Sequence, residues 1–209
     1  SWLSDWPKWL DLPLMPWINK VFKALNENYG FIFEAINNVL LAMLMGLKNF
    51  LVQAPWPLVI IGVVILAYFA SGKKIKTTVA VGFCTFFIGF LHPRFWDKAI
   101  ETTSIMLISI FLCLIIGVPI GIWMSRANKV REKILPILDL MQTIPAFVYL
   151  IPGIMLFGLG AVPAIIATFI YAVPPLVRLT DLGIRLVDTE VTEAADAFGA
   201  SKKQKLWGV

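Results

Sequence analysis

Uncharged apolar runs separated by short basic stretches set the organisation of the chain. Residues 49–72 carry no charge between Lys48 and Lys73, and their apolar heart runs from Trp56 to Ala70. A second run covers 77–93, centred on Val79 to Leu91, and a third covers 102–125, between Glu101 and Arg126. The fourth interval, 140–177, holds 38 uncharged residues. As one helix it would extend about 57 Å, whereas a bilayer core is about 30 Å thick. Gly158-Leu-Gly-Ala-Val-Pro163 interrupts it, which predicts two short spans joined by a tight turn. A span needs about 20 mostly apolar residues, so the pattern predicts five membrane helices in an all-α, polytopic membrane protein.

Residues 1–56 differ in kind. Trp2, Trp6, Pro7, Trp9, Pro13, Pro16 and Trp17 make an irregular aromatic lead-in. Leu14, Ile18, Val21, Phe22 and Leu25 then recur at helical spacing. After Tyr29-Gly30 the pattern resumes with Ile32, Ile36, Val39, Leu40, Met43, Leu44, Leu47 and Leu51. Glu34, Asn37, Asn38 and Lys48 interrupt it, leaving only 35–47 uncharged, which is short for a span. The expectation is an amphipathic arm lying in the outer interface or packed across the bundle. A further span is the alternative.

Composition agrees with this pattern. Of 209 residues, 59% are hydrophobic and 15% charged, with a mean hydropathy of +0.82. Soluble domains carry about 25% charged residues, so an ordinary cytosolic enzyme and a disordered chain are both excluded. The net charge of +5 raises nucleic acid as a partner, but the placement of the charges decides against it. Lys73, Lys74 and Lys76 sit in one loop; Arg126, Lys129, Arg131 and Lys133 sit in another. Residues 178–209 add Arg178, Arg185, Lys202, Lys203 and Lys205, whereas 92–101 is charge-balanced and 158–163 is uncharged. Basic loops stay in the cytoplasm. All five spans then alternate, with the N-terminus outside and residue 209 inside. The chain opens at Ser1 without a methionine and stops at Val209 after a basic stretch, so a fragment is expected.

Little in the chain suggests chemistry of its own. Gly72-Lys73-Lys74 lacks the spacing and the Ser/Thr of a phosphate-cradling loop. His92, the sole histidine, lies beside Pro93 in an outer loop, and one imidazole makes no metal cluster. Cys84 and Cys113 lie inside apolar runs and read as small hydrophobes. Trp56, Trp96 and Trp123 fall near helix ends, where indoles anchor at the interface. Gly117-Val-Pro-Ile-Gly121 permits close helix approach or a kink, and local packing explains it equally well. No ionisable group falls near the middle of a span; Asp139 and Arg178 flank the fourth interval. Ion-driven carriers place such groups at mid-membrane, so transport powered from outside this chain is expected. No catalytic residue, metal ligand or bound cofactor is expected.

Residues 188–209 read as a short helix, a stop and a second helix start. Val191, Ala194, Ala195 and Phe198 share one face, while Glu190, Glu193 and Asp196 line another. Gly199 is placed for a left-handed C-terminal cap. Ser201-Lys-Lys-Gln204 has the form of a capping box. Such a pair makes a knob suited to a partner's groove, or an ordinary amphipathic connector.

The order of residues in that knob is specific. Glu193-Ala194-Ala195, with Gly199 four positions later, resembles the EAA loop of type I ABC importer permeases. Leu138-Asp-Leu-Met-Gln-Thr-Ile-Pro-Ala-Phe-Val-Tyr-Leu-Ile-Pro152 and Ala172-Val-Pro-Pro-Leu-Val-Arg-Leu-Thr180 resemble the permeases for glycine betaine, proline betaine and related osmoprotectants. The resemblance covers roughly 17–209 and is strongest from 102 onward. It implies a permease subunit of the bacterial inner membrane, paired with itself and with ATP-binding subunits that carry ATP and magnesium. A substrate-binding protein would deliver solute outside. It divides the chain into the arm 1–56, two membrane helices in 57–98, and an incomplete type I transport domain in 99–209. Within that domain a coupling loop at about 188–206 uses Glu193, Ala194, Ala195 and Gly199.

A quaternary ammonium has no N–H to donate, so aromatic faces must receive it. Phe147, Tyr149, Phe157, Phe169 and Tyr171 offer such faces beside the fourth interval, and Gln142 and Thr143 offer partners for a carboxylate. Packing and lipid-facing roles are the alternative for each. The competing functions are an ion-coupled carrier or channel and a non-transporting membrane scaffold.

Overall fold

The computed structural model describes residues 14–208, and among them the chain forms helices joined by short turns. The aromatic lead-in up to Pro13 lies outside the described residues. The first helix, α1 (Leu14–Gln53), is continuous over 40 residues. Gly30 does not break it, because a helical glycine costs only about 1 kcal/mol against alanine and its neighbours on both sides keep the helical pattern. Pro55 then stops the helix, and α2 (Trp56–Ala70) follows at once.

The α2 helix turns back through Gly72 and Lys73, both at φ +65°, into α3 (Ile75–Leu91). These two helices form a hairpin tight enough that a Cβ at Gly82 would sit 3.0 Å from Val64 Cγ2. His92 caps the next helix: its Nδ1 accepts from the Arg94 N–H at 3.1 Å. That helix, α4 (Pro93–Arg126), begins before the apolar run does. The expected boundary at 98/99 therefore cuts its first turns.

After Ala127 come α5 (Asn128–Thr143) and α6 (Ala146–Phe157), which meet at an angle of 93°. Pro145 forces Ile144 out of the helical region and removes an amide donor, so the ladder cannot continue. The fourth predicted span is thus a bent pair. Its α6 half, 12 residues or about 18 Å, is too short to cross alone. The turn at 158–160 falls where the glycines placed it, with Gly158 at φ +77°.

The last long helix, α7 (Ala161–Arg185), runs past the uncharged interval and carries Arg178, Asp181 and Arg185 as helical residues rather than loop residues. By length and composition, three helices are able to cross a membrane: Pro16–Gln53, Arg94–Arg126 and Ala161–Arg185. The bent α5–α6 pair makes up to four, and α2 and α3 are shorter apolar helices. The fold is all-α as expected, but a count of five spans does not follow from these lengths. Nor is α1 too short to cross; the charged residues along it interrupt an uncharged run without interrupting the helix.

The spine of the fold is the parallel pair α4 and α7. Ser109 Oγ lies 2.9 Å from the Ile105 carbonyl and 3.2 Å from the Ile165 carbonyl. One turn later the Cys113 thiol approaches the Phe169 carbonyl at 3.7 Å. Gly117 meets Leu176, and Gly121 faces Thr180 and the Val177 carbonyl. Ser109, Cys113, Gly117 and Gly121 thus place a small residue every four positions against α7. Where lipid is as apolar as leucine, close backbone approach drives helix association. This answers the glycine pair: it is a contact surface, and α4 continues through Pro119.

Two apolar clusters flank the spine. Leu40 and Leu44 of α1 pack with Ile108, Val162 and Ile165. Cys113, Met124, Leu138, Val173 and Val177 form the other, joining α4, α5 and α7. Further along α1, Phe33 stands edge-on to Phe157 at 5.7 Å between ring centres, and Lys48 reaches Glu101 at 3.7 Å.

Candidate functional site

Three residues, Leu186–Asp188, separate α7 from α8 (Thr189–Ala197). The Asp188 carboxylate accepts the Glu190 N–H at 2.9 Å and so starts the helix. The helix ends in a paired 6→1 and 5→2 closure. The Ala200 N–H donates to the Ala195 carbonyl, and the Gly199 N–H donates to the Asp196 carbonyl, both at 2.9 Å. Gly199 holds φ +74°, a conformation that a side chain at this position would strain.

The second short helix, α9 (Lys202–Gly208), opens with the reciprocal box. The Ser201 N–H donates to Gln204 Oε1 at 2.8 Å, and the Gln204 N–H donates to Ser201 Oγ at 3.3 Å. Lys205 Nζ meets Asp196 Oδ1 at 2.6 Å and braces the two helices. Local rules alone build this knob.

What the knob presents is unusual for a free surface. Phe198 is 92% exposed, Val191 is exposed, and Glu193 and Ala194 project outward while Ala195 is half-buried. An apolar face bordered by carboxylates has no covering element among the described residues, as a docking surface requires.

Behind the knob, α7 is fastened to its neighbours by charge. Asp181 is 3% exposed. It accepts from Arg131 Nε at 2.9 Å and from Arg185 Nε at 2.8 Å. Arg185 also donates to the Met124 carbonyl and to Asn128 Oδ1, each at 2.9 Å. Arg178 pairs with Asp139 on α5. The stem of the knob is therefore clamped to the end of α4 and to α5 at two levels. Sequence reasoning misses this clamp because it takes Arg131 and Arg185 for separate loop charges and does not single out Asp181. The spacing Asp181 to Arg185, i to i+4, is the available signal.

The proposed pathway residues do not converge in the same way. Gln142 and Thr143 end α5 at the bend, both exposed, and the Thr143 hydroxyl donates to the Leu140 carbonyl at 2.8 Å. Tyr149 reaches back across the bend, its hydroxyl donating to the Met141 carbonyl at 2.9 Å. Phe147 is 80% exposed and Tyr171 is also exposed. Phe157 and Phe169 are packed, against Phe33 and within the α4–α5–α7 cluster.

The described residues thus form a bundle of apolar helices, three of them long enough to cross a membrane, with an exposed knob at one end of a charge-clamped stem. Residues 117–209 match the model of the family described as "Binding-protein-dependent transport system inner membrane component". The chain is 41% identical over 199 residues to a glycine betaine/carnitine transport permease protein of Listeria monocytogenes, covering 95% of this chain and 70% of that one. It is 38% identical over 198 residues to a glycine betaine transport system permease protein of Bacillus subtilis, covering 95% and 69%. A glycine betaine/proline betaine permease of Escherichia coli is 36% identical over 198 residues, covering 95% and 55%. The chain belongs to this family of inner-membrane permease components. A permease role thus prevails over the channel and scaffold alternatives.

Proposed function

We propose that the chain is the membrane subunit of an ATP-driven importer for glycine betaine, proline betaine or a related methylated ammonium solute. The observation that carries this is extended similarity, over 95% of the chain, to permeases named for such solutes. ATP and magnesium are held by a separate ATPase, two permease chains pair, and a binding protein delivers solute to the outer face. The N-terminus is outside and the α8–α9 knob is in the cytoplasm; the basic residues clustered at 73–76, around the α2–α3 turn, and at 126–133, around the α4–α5 junction, support this orientation.

Glu193, Ala194, Ala195 and Gly199 form the contact that receives motion from the ATPase. Alternating access then needs a free-energy difference between two docked states. The clamp at Asp181 supplies the stiff connection: movement of α8 pulls α7, and α7 takes α5 and the end of α4 with it. Gln142, Thr143, Phe147, Tyr149 and Tyr171 lie beside the route of the solute.

The test is uptake of radiolabelled glycine betaine by vesicles holding the full-length permease, its ATPase and its binding protein. ATP-dependent accumulation that requires the binding protein is expected. Accumulation driven by a proton or sodium gradient without ATP would overturn the reading.

A further inference from the structure

Three helices bring aromatic rings to one cleft of about 490 Å³, away from the knob. Trp56 begins α2, Phe86 and Phe90 lie in the last turns of α3, and Trp96 and Asp97 lie in the first turns of α4. Trp56 and Phe86 are 6.3 Å apart between ring centres, tilted by 50°. Phe86 and Phe90 stack at 6.1 Å with 18° between their planes. Trp96 lies over Gly89, where a Cβ would come within 3.3 Å of its Cε3 atom. Among the described residues Asp97 has no ion-pair partner, whereas its neighbour Lys98 is held by Glu101 at 2.9 Å.

We propose that this cleft is a binding site for a methylated ammonium cation. Indole and phenyl faces attract a cation too weakly hydrated to demand hydrogen bonds, and tryptophan does so best. Asp97 at the rim supplies the opposite charge. The volume falls within the about 300–1,000 Å³ usual for small-molecule sites. Interfacial anchoring alone explains single indoles such as Trp123, but it needs neither convergence of rings from three helices nor a glycine seat under one of them. The cleft lies at the end of the α2–α3 hairpin opposite the Lys73–Lys76 loop, which is the outer end in the orientation proposed above. That placement rests on the permease reading; the cation chemistry does not. The same chemistry comes from a free solute or from a choline headgroup of a lipid.

The experiment is calorimetric titration of the full-length permease, assembled with its ATPase, in phosphatidylglycerol nanodiscs. The probes are choline and its uncharged analogue 3,3-dimethylbutan-1-ol. Choline is expected to bind and the alcohol to bind at least several-fold more weakly. Trp96→Leu should weaken choline about tenfold. Gly89→Val, which displaces the Trp96 ring without altering it, should do the same, and Asp97→Asn should weaken it a few-fold. Asp97 is exposed, so that variant is expected to assemble even if the tryptophan variant does not.

Repeating the titration in phosphatidylcholine nanodiscs separates the sources. Suppressed choline binding supports a lipid headgroup as occupant, and unchanged binding supports a free solute. Equal binding of choline and the alcohol, or unchanged choline affinity in Asp97→Asn and Gly89→Val, would overturn the site. Betaine uptake is scored separately on the same preparations. A transporting complex with an inert cleft refutes only this inference, and a cleft that binds choline in a complex that does not transport refutes only the substrate reading.

Discussion

Arg131 Nε donates to the buried Asp181 carboxylate at 2.9 Å, joining residues fifty positions apart at the foot of α7. With Arg185 on its other oxygen, Asp181 keeps two guanidinium groups together that would otherwise repel. Removing one partner of a buried ion pair costs more than the pair contributes, because the remaining charges stay desolvated. Here the two arginines keep partial access to solvent, with 42% and 30% of their side chains exposed. Asp181→Ala should therefore destabilise the helix packing by about 2 kcal/mol, below the figure for a fully buried pair. Thermal unfolding in detergent measures it. A midpoint unchanged from the parent protein would show that the clamp carries no stability.

Gly121 and Gly117 sit one turn apart on the same face of α4, yet they differ in what surrounds them. A Cβ at Gly121 would lie 2.5 Å from Thr180 Cβ and 2.9 Å from the Val177 carbonyl oxygen, and backbone cannot swing aside. At Gly117 the near atom is Leu176 Cδ2 at 3.1 Å, the end of a side chain that turns. Gly121→Ala should thus force α4 from α7 and cost about 1–3 kcal/mol, whereas Gly117→Ala should cost clearly less. Thermal midpoints of the two variants, compared in one detergent, decide it. The reverse ranking would contradict the contact described.

The parts of this fold that follow local rules are legible in residue order. Gly199, Ser201 and Gln204 act on neighbours within a few positions, so residue types and spacing suffice to place the end of α8 and the start of α9. Other features escape because uncharged intervals mark where lipid begins and ends, not where a helix does. For that reason α7 extends to Arg185, α4 starts at Pro93, and α1 passes through Gly30. The bend at Ile144-Pro145 is visible as a proline, but the uncharged run around it reads as one span. The Asp181–Arg185 half of the clamp has a local sign in its i to i+4 spacing, but its Arg131 half and the Trp56–Trp96 cleft depend on tertiary approach of distant segments.

Phe147 and Tyr149 separate two roles that residue order leaves joined. Tyr149 bridges the bend through the Met141 carbonyl, while Phe147 is exposed and bears no comparable contact. Tyr149→Phe should cost about 1 kcal/mol of stability by freeing that carbonyl. Phe147→Ala should leave stability unchanged and reduce betaine uptake. Uptake at the parent rate in Phe147→Ala, at matched expression, would remove that ring from the route.

Orientation is checked by single cysteines in a background without Cys84 and Cys113. Introduced at Ser71, the thiol should react only after permeabilisation, whereas at Asp97 and Lys20 it should react with an impermeant reagent from outside. Lys20 is informative because α1 is long enough to cross. Outside labelling there places the arm across the outer ends of the bundle, and protection from outside makes α1 a crossing helix with a cytoplasmic start. Labelling of Ser71 and Asp97 from the same side would overturn the orientation of the α2–α3 hairpin.

The knob offers the sharpest test of coupling, because its geometry depends on one backbone angle. At φ +74° Gly199 closes α8 and directs α9 back so that Lys205 meets Asp196. Gly199→Val makes that conformation costly for a β-branched residue and should misplace α9. No atom lies within 4 Å of a Cβ there, so any loss comes from backbone strain and not from a clash. Glu193→Lys keeps the backbone and inverts one exposed charge. Neither change touches an apolar span, and membrane insertion should be normal in both. Uptake should fall several-fold, and recovery of the ATPase with the tagged permease should fall with it. Gly199→Ala should lie between the parent and the valine variant, since alanine enters the left-handed region at a smaller cost. Parent-level uptake and recovery in both Gly199→Val and Glu193→Lys would show that the knob does not transmit the motion of the ATPase.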